Sequence, residues 1–77
     1  MNFTTYDINV DGYTIGVSND PVKTGRDSLL ERNQFLCWLR NETHTATLIV
    51  SREGMKDPRF CKTVLKMLLR ELSLVQQ

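Results

Sequence analysis

Asp27-Ser28-Leu29-Leu30-Glu31-Arg32-Asn33-Gln34-Phe35-Leu36-Cys37-Trp38-Leu39-Arg40, residues 27–40, is the stretch on which the architecture of this chain turns. Ser28 and Glu31 have the spacing of a capping box, with Thr24 and Asp27 as further cap candidates. Helical spacing puts Leu29, Phe35, Leu36 and Leu39 within about 120° of one another on a wheel. That pattern predicts a helix over 27–40. Phe35-Leu36-Cys37-Trp38-Leu39 also supports a competing reading, because the run is apolar all round and rich in strand formers. Asn41-Glu42 would then turn it into a hairpin with residues 43–51. The choice decides whether the sheet has three strands or four.

On the amino-terminal side the pattern is plainer. Thr4, Tyr6, Ile8 and Val10 alternate with Thr5, Asp7 and Asn9, the period of a half-buried strand. Asp11-Gly12 follows, a dipeptide suited to a two-residue turn in which both central residues have positive φ. Such a turn pairs Val10 with Tyr13, Ile8 with Ile15 and Tyr6 with Val17, so the apolar residues of both strands share one face. Gly16 falls on the other face, where a glycine marks a bulge or a close approach. Ser18-Asn19-Asp20-Pro21 is a cluster of turn formers, and the segment through Gly25 reads as a loop.

On the carboxy-terminal side, Thr45–Ser51 is a β-branched run with Ala46, Leu48 and Val50 on one face and Thr45, Thr47 and Ile49 on the other. Asp57-Pro58 then announces a helix over residues 58–77, Asp57 as cap and Pro58 at the first helical position. Phe60, Cys61, Val64, Met67, Leu68, Leu72 and Val75 form its expected core face; Arg59, Lys62, Lys66 and Arg70 line the opposite one. The expected order is ββαβα: a small α+β domain with a three-stranded antiparallel sheet in order 2-1-3. Both helices would pack on the face containing Ile8, Val10, Ile15 and Val17. The alternative is a four-stranded antiparallel sheet with a carboxy-terminal helix.

Seventy-seven residues, 40% hydrophobic and 25% charged, suit one soluble domain spanning residues 1–77. The net charge of +1 hides an asymmetry, −2 over residues 1–51 and +3 over residues 52–77. The positive field is therefore local, which disfavours non-specific coating of a duplex. Residues 1–10 hold no basic region followed by an apolar run, and no eighteen consecutive apolar residues occur, so no membrane partner and a cytoplasmic location are expected. Cys37 and Cys61 sit among apolar neighbours and read as buried free thiols.

Chemical motifs are sparse. Neither of the glycine-rich phosphate-binding patterns occurs, and one histidine with two separated cysteines does not supply a zinc ligand set. No cofactor, metal site or catalytic residue is expected. His44 beside Glu42 reads as an exposed histidine, and Cys37 as a thiol whose ionisation is opposed by core surroundings. What remains is surface. Arg59, Lys62, Lys66 and Arg70 project along about 16 Å of helix, enough to track phosphates or an acidic protein surface. Leu30, Cys37, Trp38, Leu69 and Leu74 form an apolar surplus beyond the main core stripes, and Trp38 is of a residue type enriched at binding hot spots.

These features lead to the expectation of a non-enzymatic protein-binding module, an inhibitor or adaptor that occludes a partner surface in the way many virus-encoded inhibitors of host enzymes do. The expected contacts are Trp38, Leu69 and Arg70 with the exposed face or edge of the hairpin. The alternative is nucleic-acid binding through Arg59, Lys62, Lys66 and Arg70, with a homo-oligomer doubling the stripe.

Overall fold

Residues 34–40 are extended, which corrects the helix expected over 27–40. The computed structural model describes residues 3–24 and 30–75. The chain runs β1 (Thr5–Val10), β2 (Tyr13–Ser18), α1 (Pro21–Thr24), β3 (Gln34–Arg40), β4 (Thr45–Ser51), a 3-10 turn (Gly54–Lys56) and α2 (Pro58–Val75). Of the expected helix, Asp27, Ser28 and Leu29 lie outside the described residues. Arg32 and Asn33 form a turn closed by the bond from Gln34 N to Glu31 O, 3.0 Å.

The physical reason is the composition of 35–39. As a helix, this run would present apolar side chains around its whole circumference, with one core face to receive them. As a strand with a neighbour on each side it sends Phe35, Cys37 and Leu39 towards α2 and Leu36 and Trp38 to the opposite face. All but the half-buried Trp38 are buried. A continuous apolar run is the pattern of a strand covered on both faces, and this tertiary demand overrides the capping-box spacing.

The expected order 2-1-3 is corrected with it. Gly16, Val17 and Ser18 of β2 pair with Trp38, Cys37 and Leu36 of β3, giving a four-stranded antiparallel meander in order β1-β2-β3-β4. No crossover is needed. Thr45–Ser51, read as a third strand, is the fourth, paired with β3 from Gln34↔Ser51 to Arg40↔Thr45. Its turn is held by Asn41, whose Oδ1 accepts from Thr43 N at 2.9 Å and His44 N at 2.7 Å. The first hairpin has the expected register, Ile8↔Ile15 and Tyr6↔Val17, with Asp11 at φ 50° and Gly12 at φ 87° in its turn.

A single long helix covers the sheet, where two were expected. Asp57 Oδ1 accepts from Arg59 N at 2.9 Å and Asp57 O from Cys61 N at 3.1 Å, so Asp57 caps α2 with Pro58 in the first helical position. Cys61, Val64, Leu65, Leu68 and Leu72 lie against Val10, Ile15, Val17, Phe35, Cys37, Leu39, Ala46 and Val50 in one cluster that Met55 of the 3-10 turn completes. The α2 core stripe is rotated from its expected position: Leu65 is inside it, Phe60 is half-buried at its margin and Met67 is 50% exposed.

The segment read as a loop after β2 contains the one-turn α1. Asp20 Oδ1 accepts from Val22 N at 3.0 Å, and the buried Ser18 Oγ accepts from Asp20 N at 3.0 Å while bonding Thr5 Oγ1 at 2.7 Å. Ser18 thus stays satisfied inside the sheet.

Candidate functional site

The meander has two faces, and α2 takes only one. Side-chain alternation sends Thr5, Asp7, Asn9, Thr14, Gly16, Ser18, Gln34, Leu36, Trp38, Arg40, Thr45, Thr47, Ile49 and Ser51 to the other. The indole of Trp38 lies across Gly16, where a Cβ would collide with the ring. This is the close approach expected of Gly16, and it fixes one side of the indole while leaving the residue half exposed. Beside it, Val22 and Lys23 of α1, Leu36 and Arg40 of β3, and Thr45 and Thr47 of β4 line an open groove of about 250 Å³. Val22 is 86% exposed and Ile49 41%.

The residues proposed from sequence do not converge. Arg59, Lys62, Lys66 and Arg70 are all exposed on α2, and among the described residues none of them makes an ion pair; the pair found is Lys56–Glu53 at 3.3 Å. Trp38 is a strand residue on the far side of the sheet from that stripe. Leu69 is half-buried, packed on the core and lining a groove of about 240 Å³ with Tyr13, Leu39, Arg40, Asn41, Leu72 and Ser73. A single contact surface made of Trp38, Leu69 and Arg70 is therefore not formed. The residues missed from sequence are Val22 and Arg40, whose place beside Trp38 depends on the β2–β3 pairing. A strand reading of 35–39 was the signal that could have found them.

A larger groove of about 360 Å³ runs between β1 and the start of α2, bounded by Ile8, Asn9, Val10, Asp11, Met55, Lys56, Pro58, Cys61 and Lys62. Its floor is the core margin. Among the described residues no group of three or more His, Cys, Asp or Glu side chains is placed to hold a metal ion, and no helix is long and apolar enough to cross a membrane.

Both cysteines are buried free thiols, as expected. Cys37 Sγ donates to Met55 Sδ at 3.9 Å and Cys61 Sγ to Met55 O at 3.4 Å, so one methionine receives both. Burial, reinforced by the neighbouring Cys61, pushes the Cys37 thiol up from its ordinary 9.0 to about 12. Cys61 is also raised, by burial first and by the Asp57 carboxylate second. His44 Nδ1 bonds Thr43 Oγ1 at 2.8 Å at the β3–β4 turn, four residues up β4 from the partner of Cys37, about 13 Å. Cys37 and His44 therefore form no thiol–imidazole pair.

The thiols give a direct check. At pH 8 neither should react with a thiol reagent in the folded protein, and both should react once denaturant unfolds it. Cys37 also adds an alkaline dependence. The unfolded thiol ionises near its ordinary value while the folded one holds its proton to about 12, so this contribution to stability is complete below pH 9 and is lost between 9 and 12. Denaturant midpoints at pH 8 and 10.5 should differ less in Cys37→Ala than in the native chain.

No protein-family model, curated protein or solved structure matches the chain.

Proposed function

We propose that this chain is a non-enzymatic protein-binding module that grips its partner with the sheet face opposite α2, acting as an inhibitor or adaptor by covering a partner surface. The observation that carries the reading is Trp38: its indole is seated on Gly16 and bordered by an open groove with Val22, Arg40, Thr45 and Thr47. An aromatic ring already held in one orientation loses little conformational freedom when a partner closes over it, which is the property of interface anchors. Lys23 and Arg40 place positive charge at the rim, so the complementary surface is apolar at its centre with acidic groups around it.

Affinity capture from the native host with three baits tests this. The native chain should retain a protein in stoichiometric amount; Val22→Asp combined with Arg40→Glu should lose it; Lys62→Glu combined with Lys66→Glu should keep it. Recovery of the native chain alone, or loss with the second pair only, overturns the reading.

The alternative is nucleic-acid binding through Arg59, Lys62, Lys66 and Arg70, favoured by one observation: none of these cations has an ion-pair partner among the described residues. Here a mobility shift at low salt should weaken steeply as salt rises and be lost in the Lys62→Glu, Lys66→Glu variant.

A further inference from the structure

We propose that β4 is a homodimer edge, on which a second copy of this chain adds its own β4 antiparallel to form a continuous eight-stranded sheet. Asn41 N bonds His44 O at 2.9 Å and Arg52 N bonds Asn33 O at 2.7 Å, bracketing the β3–β4 ladder. Antiparallel bonding alternates, so Ala46, Leu48 and Val50 direct their amides and carbonyls to β3, and Thr45, Thr47, Ile49 and Ser51 direct theirs outward. β4 has no second neighbour among the described residues.

An outward row of backbone donors and acceptors recruits another strand unless something prevents it. The usual preventions are absent from β4: Thr45–Ser51 contains no charge, no proline and no glycine, and its pairing with β3 has no bulge. The other edge is guarded. The Asn19 N to Thr4 O bond, 3.1 Å, sets the same alternation in β1, so Thr5, Asp7 and Asn9 face outward there. An antiparallel β1–β1 contact centred on that strand brings two Asp7 carboxylates together. One open edge and one guarded edge give a closed pair and stop a fibre.

The sequence of β4 is also matched to its own reversal. About Leu48, the β-branched Thr47 and Ile49 are followed by the apolar Ala46 and Val50 and then by the hydroxyl residues Thr45 and Ser51. A two-fold through Leu48 therefore pairs Thr45 with the partner's Ser51 and Thr47 with the partner's Ile49, forming about eight backbone bonds from the outward groups. Every residue keeps its face: the half-buried Leu48 meets its equivalent on the helix side, and the exposed Ile49 gains an apolar neighbour on the outer side. Beyond the overlap, Arg52 falls opposite the partner's His44 and Glu53 opposite the partner's Thr43, so neither the two arginines nor the two glutamates face each other.

Light scattering after size exclusion, at tens of micromolar, should give the mass of two chains. Thr47→Lys combined with Ile49→Lys sets lysines opposite one another across the two-fold at exposed positions, and should give a single-chain mass with an unchanged circular dichroism spectrum. Amide exchange adds a readout specific to the edge: protection of Thr45, Thr47, Ile49 and Ser51 should rise at least tenfold between dilute and concentrated native protein, with Ala46 and Val50 little changed. A native chain that stays monomeric at 100 µM, a dimer that survives both lysines, or concentration-dependent protection located elsewhere overturns the proposal.

Discussion

Leu68→Ala should cost about 3–5 kcal/mol and Met67→Ala less than about 1 kcal/mol, although the residues are adjacent and similar in volume. Leu68 is 1% exposed at the centre of the α2 stripe, so its truncation removes a fully buried side chain and leaves a cavity, whereas Met67 is 50% exposed. A domain of this length has about 4–12 kcal/mol of total stability, so the first substitution removes much of it and the second is barely felt. Urea denaturation midpoints, compared at equal slope, are the measurement. Equal losses at the two positions would show that α2 packs in the phase read from the sequence and not in the one described here.

That phase error has a physical origin. Taking Phe60 and Met67 as core members pulled the expected stripe to one side, because a wheel weights every apolar residue alike. The sheet is covered from Cys61, Val64, Leu65, Leu68 and Leu72. A small domain runs out of core before it runs out of apolar residues, so Met67 and Leu74, 62% exposed, stay on the surface.

The legible parts of the fold were those specified by local chemistry. Asp11-Gly12 dictates its own turn and through it the whole β1–β2 register, and Asp57-Pro58 dictates where α2 begins. Residues 34–40 depart from the expected helix because their information is not local. Whether Phe35–Leu39 is a helix or a strand depends on a neighbour for each of its faces, and those neighbours are β2, separated by the α1 segment, and β4, not yet reached along the chain. The candidate site followed the same division. The stripe Arg59, Lys62, Lys66 and Arg70 was readable from helical period alone, whereas the grouping of Trp38 with Val22 and Arg40 exists only once β3 is placed.

Gly16→Ala is the substitution that joins fold to function. A methyl group there occupies space held by the indole, so Trp38 must swing off β2, at a cost of about 1–3 kcal/mol by overpacking. Trp38 is the chain's one tryptophan, so its emission reports the event without ambiguity: the maximum should shift to longer wavelength as the ring enters water. Trp38→Ala removes the obstruction, and adding Gly16→Ala to it should be nearly free, with a small gain from restricting the unfolded chain. The double-mutant cycle should therefore show a coupling of about 1 kcal/mol or more between the two positions. Partner capture separates anchoring from stability. Gly16→Ala, assayed well below its unfolding midpoint, should lose the partner although Val22, Arg40, Thr45 and Thr47 are unaltered, because the ring no longer presents a fixed face. Retained capture with a red-shifted indole would mean that the groove binds without its anchor, and would move the site to the rim residues.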